Sequence, residues 1–246
     1  MTNRVTCPRL DVLTPVAQRL WVVDGAPIRP APGLLLPVRM TVIKLASGEL
    51  WLHSPVRLSQ RLAEALGALG PVRHLVAPNI AHWSFLPDWQ RRFPEAILWA
   101  VPELWRRWPV RRSGLRIDRT LGDEAPEAWA GEMKQAVIPG AGGFREVAFL
   151  HLPSATLVLT DLIANLEPGK LPPATRLFAR LNGMLAPDGR APAYLRLAVR
   201  MRRAEAAGAL SRLLAREPER VIFAHGRWFA SDGAAAARRS LAWLLG

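Results

Sequence analysis

Cysteine occurs once in this chain of 246 residues, at Cys7. That excludes an internal disulfide and any metal site built from cysteine alone, and a reducing cytoplasm is the expected setting. Lysine is nearly as rare: Lys44, Lys134 and Lys170 are the three among 33 basic residues, the rest being arginine. No apolar run approaches the roughly 18 to 20 residues of a membrane-spanning helix, so no transmembrane segment is expected. The opening Met1–Arg9 segment has neither an apolar stretch nor a small-residue cleavage site, which argues against a signal peptide. A Gly-x-Ser-x-Gly elbow, a Walker loop and a Gly-x-Gly-x-x-Gly turn after a strand are also missing. The common serine-hydrolase, nucleoside-triphosphate and dinucleotide signatures are therefore absent. No internal repeat is visible.

What the chain has in excess is positive charge, +13 in formal terms. With abundant alanine and proline, the arginine bias fits a high-GC coding background. The charge is still physically real and draws anions, whether nucleic acid, acidic lipid or a phosphorylated or carboxylated small molecule. Half the residues are apolar, enough for a substantial core in one domain.

Three apolar runs close on polar residues of the metal-binding kind. They are Leu75-Val-Ala-Pro-Asn79 with His82 just after, Leu157-Val-Leu-Thr-Asp161, and Val221-Ile-Phe-Ala-His225 before Gly226. Short β-branched runs read as buried strands, and strand ends are where an α/β scaffold gathers side chains from distant parts of the sequence. Imidazole and carboxylate together are the ligands of a hydrolytic zinc or iron centre.

The first third reads as a β-meander: a strand at Arg19–Asp24, a proline-rich loop over Ala26–Pro37, and a half-buried strand at Val38–Leu45. A turn at Ala46–Glu49 then leads back antiparallel into Leu50–His53. Ser59 predicts a capped helix to Leu69. Strand and helix alternate from Pro71, with strands at Val72–Ala77 and Ala96–Val101 around a helix at Leu86–Phe93. Further strands are expected at Lys134–Pro139, Arg145–Leu152 and Thr156–Asp161. Residues 166–192 are rich in proline and glycine around a helix at Thr175–Leu185, and read as an insertion or lid. That helix could cover the site, pack in a homodimer or touch a membrane surface. Tyr194–Arg216 is helical in pattern, and Asp232 is expected to cap a terminal helix ending at Leu245. This order argues for one α/β domain over 1–246.

Five phrases carry a family resemblance: Leu50-Trp-Leu-His-Ser-Pro55, Val76-Ala-Pro-Asn79 with His82, Leu121-Gly-Asp-Glu124, Thr160-Asp-Leu162 and Ala224-His-Gly226. Together they resemble a domain-of-unknown-function family of bacterial and plant proteins related to the metallo-β-lactamase fold. The resemblance implies a four-layer αββα sandwich with mixed sheets and metal ligands at strand ends. Asp161 takes the place of the bridging Asp and His225 that of the terminal His. The superfamily's His-x-His-x-Asp-His run is missing, since Pro78-Asn-Ile-Ala-His-Trp83 stands there, and its Gly-His ligand is replaced by Gly140-Ala-Gly142. That loss removes one of the two metal sites and leaves a mononuclear one of His82, Asp161 and His225.

His53, at the end of its strand, is a candidate fourth ligand or an outer donor. Asp161 is the candidate catalytic residue, able both to ligate and to orient a water, and the alternative is a turn-capping Asp. His225 could instead be a core histidine bonded to a carbonyl. Asn79, Trp83 and Glu146 are the candidate substrate contacts; Glu146 could also be a solvated strand residue. His74 and His151 read as structural. The Trp105–Arg112 cluster could bind nucleic acid by stacking and charge, or be an amphipathic edge with its Trp rings in the core and arginine stems covering it.

The function expected is hydrolysis of a small anionic ester, thioester or phosphoester with one divalent zinc, iron or manganese, or no metal at all. The alternatives are a non-catalytic ligand-binding or interaction module and, more remotely, a nucleic-acid processing protein.

Overall fold

Alternating apolar side chains along short strands build two facing sheets. The computed structural model describes Val5 and residues 9–246; Cys7 and the rest of the opening segment lie outside the described residues. The first sheet takes β1 (Thr14–Ala17), β2 (Leu20–Ile28), β3 (Leu36–Lys44), β4 (Leu50–His53), β5 (Val72–Ala77), β6 (Ile97–Ala100) and β7 (Arg119–Thr120) in sequence order. β1 to β4 form the expected antiparallel meander, and β4 to β7 run parallel. Parallel strands need crossovers, and α1 (Gln60–Leu69), α2 (Leu86–Arg92) and the short α3 (Trp108–Arg112) lie in them. Ser59 caps α1 as expected, its Oγ accepting the Leu62 N–H at 3.3 Å.

The remaining strands are β8 (Met133–Pro139), β9 (Arg145–His151), β10 (Thr156–Val158), β11 (Ala164–Asn165), β12 (Arg220–Ile222) and β13 (His225–Gly226). The second sheet runs β12-β10-β9-β8, while β11 and β13 form a small parallel pair beside it. Val147, Phe149, Val158 and Ile222 on its inner face pack into the core shared with the first sheet and with α1 and α2. Their alternates Ala148, Leu150, Leu157 and Val221 pack on the opposite side. That side is covered by α5 (Ala193–Arg200), α6 (Arg203–Leu214), α7 (Gly233–Ser240) and α8 (Ala242–Leu245), which follow α4 (Pro173–Asn182) in the chain. The result is the αββα sandwich with mixed sheets. Each fully buried Leu, Val, Ile or Phe contributes about 1.5–3 kcal/mol, so the two-sided burial of these strands dominates stability.

Two helical expectations change. The Tyr194–Arg216 pattern breaks at Arg202 (φ −122°, ψ 34°), which lets the Ala198 carbonyl of α5 accept the Ala141 N–H at 2.8 Å. The terminal helix divides at Leu241, and Asp232 does not cap it. Asp232 is left-handed (φ 50°), and the Gly233 and Ala234 N–H groups go to the Glu219 and Pro218 carbonyls instead, at 2.9 and 2.8 Å. Among the described residues no helix is long and apolar enough to cross a membrane.

Candidate metal centre

The ends of β5 and β9 are stitched together across the two sheets. The Pro78 carbonyl accepts the Val147 N–H at 2.9 Å, and Asn79 bridges Glu146. Asn79 then folds the chain into a turn: its Oδ1 accepts the N–H groups of Ala81 (2.9 Å) and His82 (3.1 Å), which presents His82. Its Nδ2 donates to Asp161 Oδ2 at 2.8 Å. Glu146 holds the other side, accepting the Thr160 and Asp161 N–H groups at 2.7 and 2.8 Å.

His225 opens β13, and its position depends on Gly226. Gly226 has φ 91°, and a Cβ there would stand 2.2 Å from the Asn165 carbonyl oxygen. Only glycine permits that approach of β11 to β13. The Arg39 guanidinium, paired with Asp24 at 2.7 Å, donates to the Gly226 carbonyl at 2.6 Å and secures the strand end.

These devices bring His82, Asp161 and His225 together, with one ligand atom of each within 4.8 Å of the others. Asp161 Oδ1 lies 3.0 Å from His225 Nε2 and 3.2 Å from His82 Nε2. The far nitrogens are held as well. His225 Nδ1 is 2.7 Å from the Pro37 carbonyl, and His82 Nδ1 is 2.5 Å from Ser54 Oγ. A carbonyl only accepts, so His225 Nδ1 carries a proton, and Nε2 is the atom free to exchange its proton for a cation.

Burial opposes the Asp161 carboxylate, but the charge of His82 and the hydrogen bonds of both histidines outweigh it and hold its pKa well below the usual range. Burial also opposes a charged His225, yet its hydrogen bond and attraction to Asp161 raise its pKa above the ordinary histidine value. Glu146 is pushed up to about 8, first by burial and then by the neighbouring Asp161 charge, against the pull of its N–H donors.

The other expected site residues fall differently. His53 stays outside the trio: it is buried, stacks on Trp51, and its Nε2 meets Thr160 Oγ1 at 3.3 Å. Burial, then the charge of His82, lowers its pKa to about 3. Asn79 and Glu146, expected as substrate contacts, are both 0% exposed and engage Asp161, so they act as its positioning residues. A solvated Glu146 is excluded for the same reason. Trp83 does line the cavity beside the trio. Ser54 and the Pro37 carbonyl went unread in the sequence. The only signal for Ser54 was its place between His53 and Pro55.

The trio lies in the wall of a cavity of about 350 Å³. Its other walls are mostly apolar: Ile28, Leu34 and Leu36 near β2 and β3, Trp83 and Phe85 after β5, and Phe178 and Met184 from residues 166–192. Tyr194 stands at the mouth, exposed yet lining the cavity.

The family model described as "Domain of unknown function (DUF4336)" matches residues 25–187, 163 of the 246 in the chain. The chain belongs to this family. No curated protein matches its sequence. Among solved structures, this DUF4336 chain is similar to a metallo-beta-lactamase from Pontibacter korlensis, with a TM-score of 0.62 at 13% identity over 95% of this chain and 98% of that one. It is similar to the metallo-beta-lactamase FIM-1 from Pseudomonas aeruginosa in its mono-zinc form (0.61, 13%, over 95% and 94%). It also resembles a metal-soaked Flv1 flavodiiron core from Synechocystis sp. PCC6803 (0.65, 10%, over 95% and 60%). At such identities the likeness establishes the metallo-β-lactamase fold.

Proposed function

We propose that this DUF4336 chain is a metal-dependent hydrolase with a mononuclear site formed by His82, Asp161 and His225. The observation that carries the reading is the convergence of two imidazole nitrogens and a carboxylate oxygen within 4.8 Å. Each imidazole is backed by a further hydrogen bond, as metal-ligating histidines usually are. That donor set fits zinc, iron or manganese. FIM-1, solved in a mono-zinc form, gives the one-metal reading a precedent within the fold. A cation bound there supplies Lewis acidity and lowers the pKa of a coordinated water toward ~7.

The chain's own groups supply the rest. Asn79 and Glu146 hold Asp161 so that Oδ1 faces the two histidines. The apolar walls hold the body of the substrate and exclude water. Residues 166–192 act as a lid within a single 1–246 domain, a reading supported by Phe178 and Met184 lining the cavity. The substrate class is an ester, thioester or phosphoester whose apolar part fills the cavity. Arg57, stacked 5.2 Å over the cavity-wall Phe85, offers a cation for an anionic end.

Metal analysis of the purified protein tests this, beside an Asp161→Ala, His225→Ala double variant. The wild type is expected to hold close to one metal per chain and the variant none. Less than about 0.2 metal per wild-type chain, with no thermal shift on adding Zn²⁺, Mn²⁺ or Fe²⁺, would sink the hydrolase. A second reading, a metal-free binding module, draws on the fact that the trio also satisfies itself as hydrogen bonds of 3.0 and 3.2 Å.

A further inference from the structure

Eight large apolar side chains stand clearly exposed among the described residues, and seven of them occupy two places; Leu152 is the exception. On α4, Leu177 and Leu181 are 59% and 76% exposed, one turn apart. Tyr194 and Leu197 on α5 and Met201 at its C-terminal end follow at helical spacing, 67% to 71% exposed. Trp105, in the 104–106 turn before α3, and Trp108, the first residue of α3, are 55% and 60% exposed. These helices also carry inward-facing apolar residues, Ala179, Leu195, Val199 and Val110, so their outer stripes are additional to the core. Apolar patches of this kind on soluble proteins mark interaction surfaces.

Both places border the cavity mouth. Tyr194, Phe178 and Met184 line it from the α4–α5 side. On the other side, Arg107 donates to the Ile80 carbonyl at 3.0 Å, directly before Ala81, His82 and Trp83 in the cavity wall. The 140–145 loop joins the two, since Ala141 bonds Ala198 of α5 and Arg145 pairs with Glu103 at 3.0 Å, just before Trp105.

The charge on this rim is predominantly positive. From Pro173 to Arg203 the only acid is Asp188, already paired with Arg239 at 3.0 Å. Arg176, Arg180 and Arg200 have no carboxylate partner among the described residues. From Leu104 to Ile117 there is no acid at all. Arg106 and Arg112 stack over Trp105 and Trp108 at 5.6 and 4.5 Å, which keeps cation and ring at one level.

We propose that this rim docks on an anionic lipid bilayer, with the cavity mouth facing the membrane. Aromatic and aliphatic side chains interleaved with arginine suit the headgroup boundary, and acidic lipid attracts arginines that have no carboxylate partner. Charge complementarity selects this occupant. A second copy of the chain would set arginine against arginine. Nucleic acid would satisfy the arginines but leave Leu177, Leu181, Leu197 and Met201 nothing to bury against. The docking is independent of any metal.

Vesicle co-sedimentation at ~0.1 M salt tests it, with phosphatidylcholine vesicles containing or lacking phosphatidylglycerol. The wild-type chain is expected to bind the anionic vesicles roughly tenfold or more above the neutral ones. Leu181→Glu/Leu197→Glu and, separately, Trp105→Ala/Trp108→Ala should each lose most of that binding while keeping the wild-type melting temperature. Ala68→Glu/Ala215→Glu adds the same charge at exposed positions toward the opposite ends of the strands and should retain it. No binding by the wild type, retention in both rim variants, or equal loss in the Ala68/Ala215 control would each overturn the proposal. So would a stable dimer that Leu181→Glu/Leu197→Glu dissociates, or retention by an oligonucleotide in place of vesicles.

Discussion

Asn79 spends every polar atom of its side chain on the site: Oδ1 shapes the His82 turn and Nδ2 orients Asp161. Asn79→Ala therefore removes the acceptor of the part-buried Ala81 and His82 N–H groups and the donor to one Asp161 oxygen. It is expected to cost about 1–3 kcal/mol in urea unfolding and to weaken metal binding roughly 10–100-fold by calorimetric titration. A variant binding metal like the wild type would remove Asn79 from its positioning role. His53 gives the pH dependence. Its folded pKa of about 3 lies far below the ordinary 6.5, so folding keeps it neutral. Its contribution is fully present above pH 6.5 and drains away as the pH falls from there toward 3, by at most about 1.4 kcal/mol per unit. Between pH 7 and pH 5 the wild type should lose roughly 1–2 kcal/mol more than His53→Gln, and parallel losses would contradict this. Asp161 and His225 could be picked out in the sequence because each closes an apolar run, and the structure brings the two together. Asn79 and Glu146 were misread as substrate contacts because composition and spacing do not reveal the Pro78–Val147 stitch that buries both beneath Asp161.

Among the elements, the smallest pair matters most. β11 and β13 contribute two residues each, yet their register, Ala164 opposite His225 and Asn165 opposite Gly226, places the terminal histidine. Gly226→Ala puts a side chain at φ 91° and a Cβ 2.2 Å from a backbone oxygen, which no rotamer relieves. The expected result is a loss exceeding about 3 kcal/mol together with loss of bound metal. A variant that melts and loads metal like the wild type would show that the strands can separate without moving His225. The period-two strands and the Ser59 cap were readable because local chemistry dictates them. The break between α5 and α6 was not, for no proline stands between Tyr194 and Arg216. Arg202 leaves helical geometry so that α5 can reach the 140–145 loop while α6 packs behind the sheet.

At the scale of the whole molecule, the trio joins parts of the sandwich that otherwise meet through the core and a few hydrogen bonds such as Val147 to Pro78. His82 follows β5 of the first sheet, Asp161 follows β10 of the second, and His225 bonds back to Pro37 in β3. A cation held by all three ties the sheets at one edge and binds only the folded chain. At a free concentration of ~100 Kd it adds about 2.7 kcal/mol, which for a chain of this size raises the melting temperature by roughly 5–10 °C. The sign of the pH effect follows from His225. Its raised pKa means that a proton occupies Nε2 at low pH and competes with the cation, so the shift should grow from pH 6 to pH 8. Scanning fluorimetry with and without Zn²⁺ across that range measures both effects. The Asp161→Ala, His225→Ala double variant should show no shift at either pH. A shift that persists in that variant would place the cation elsewhere, and one that shrinks as the pH rises would mean His225 is not a ligand.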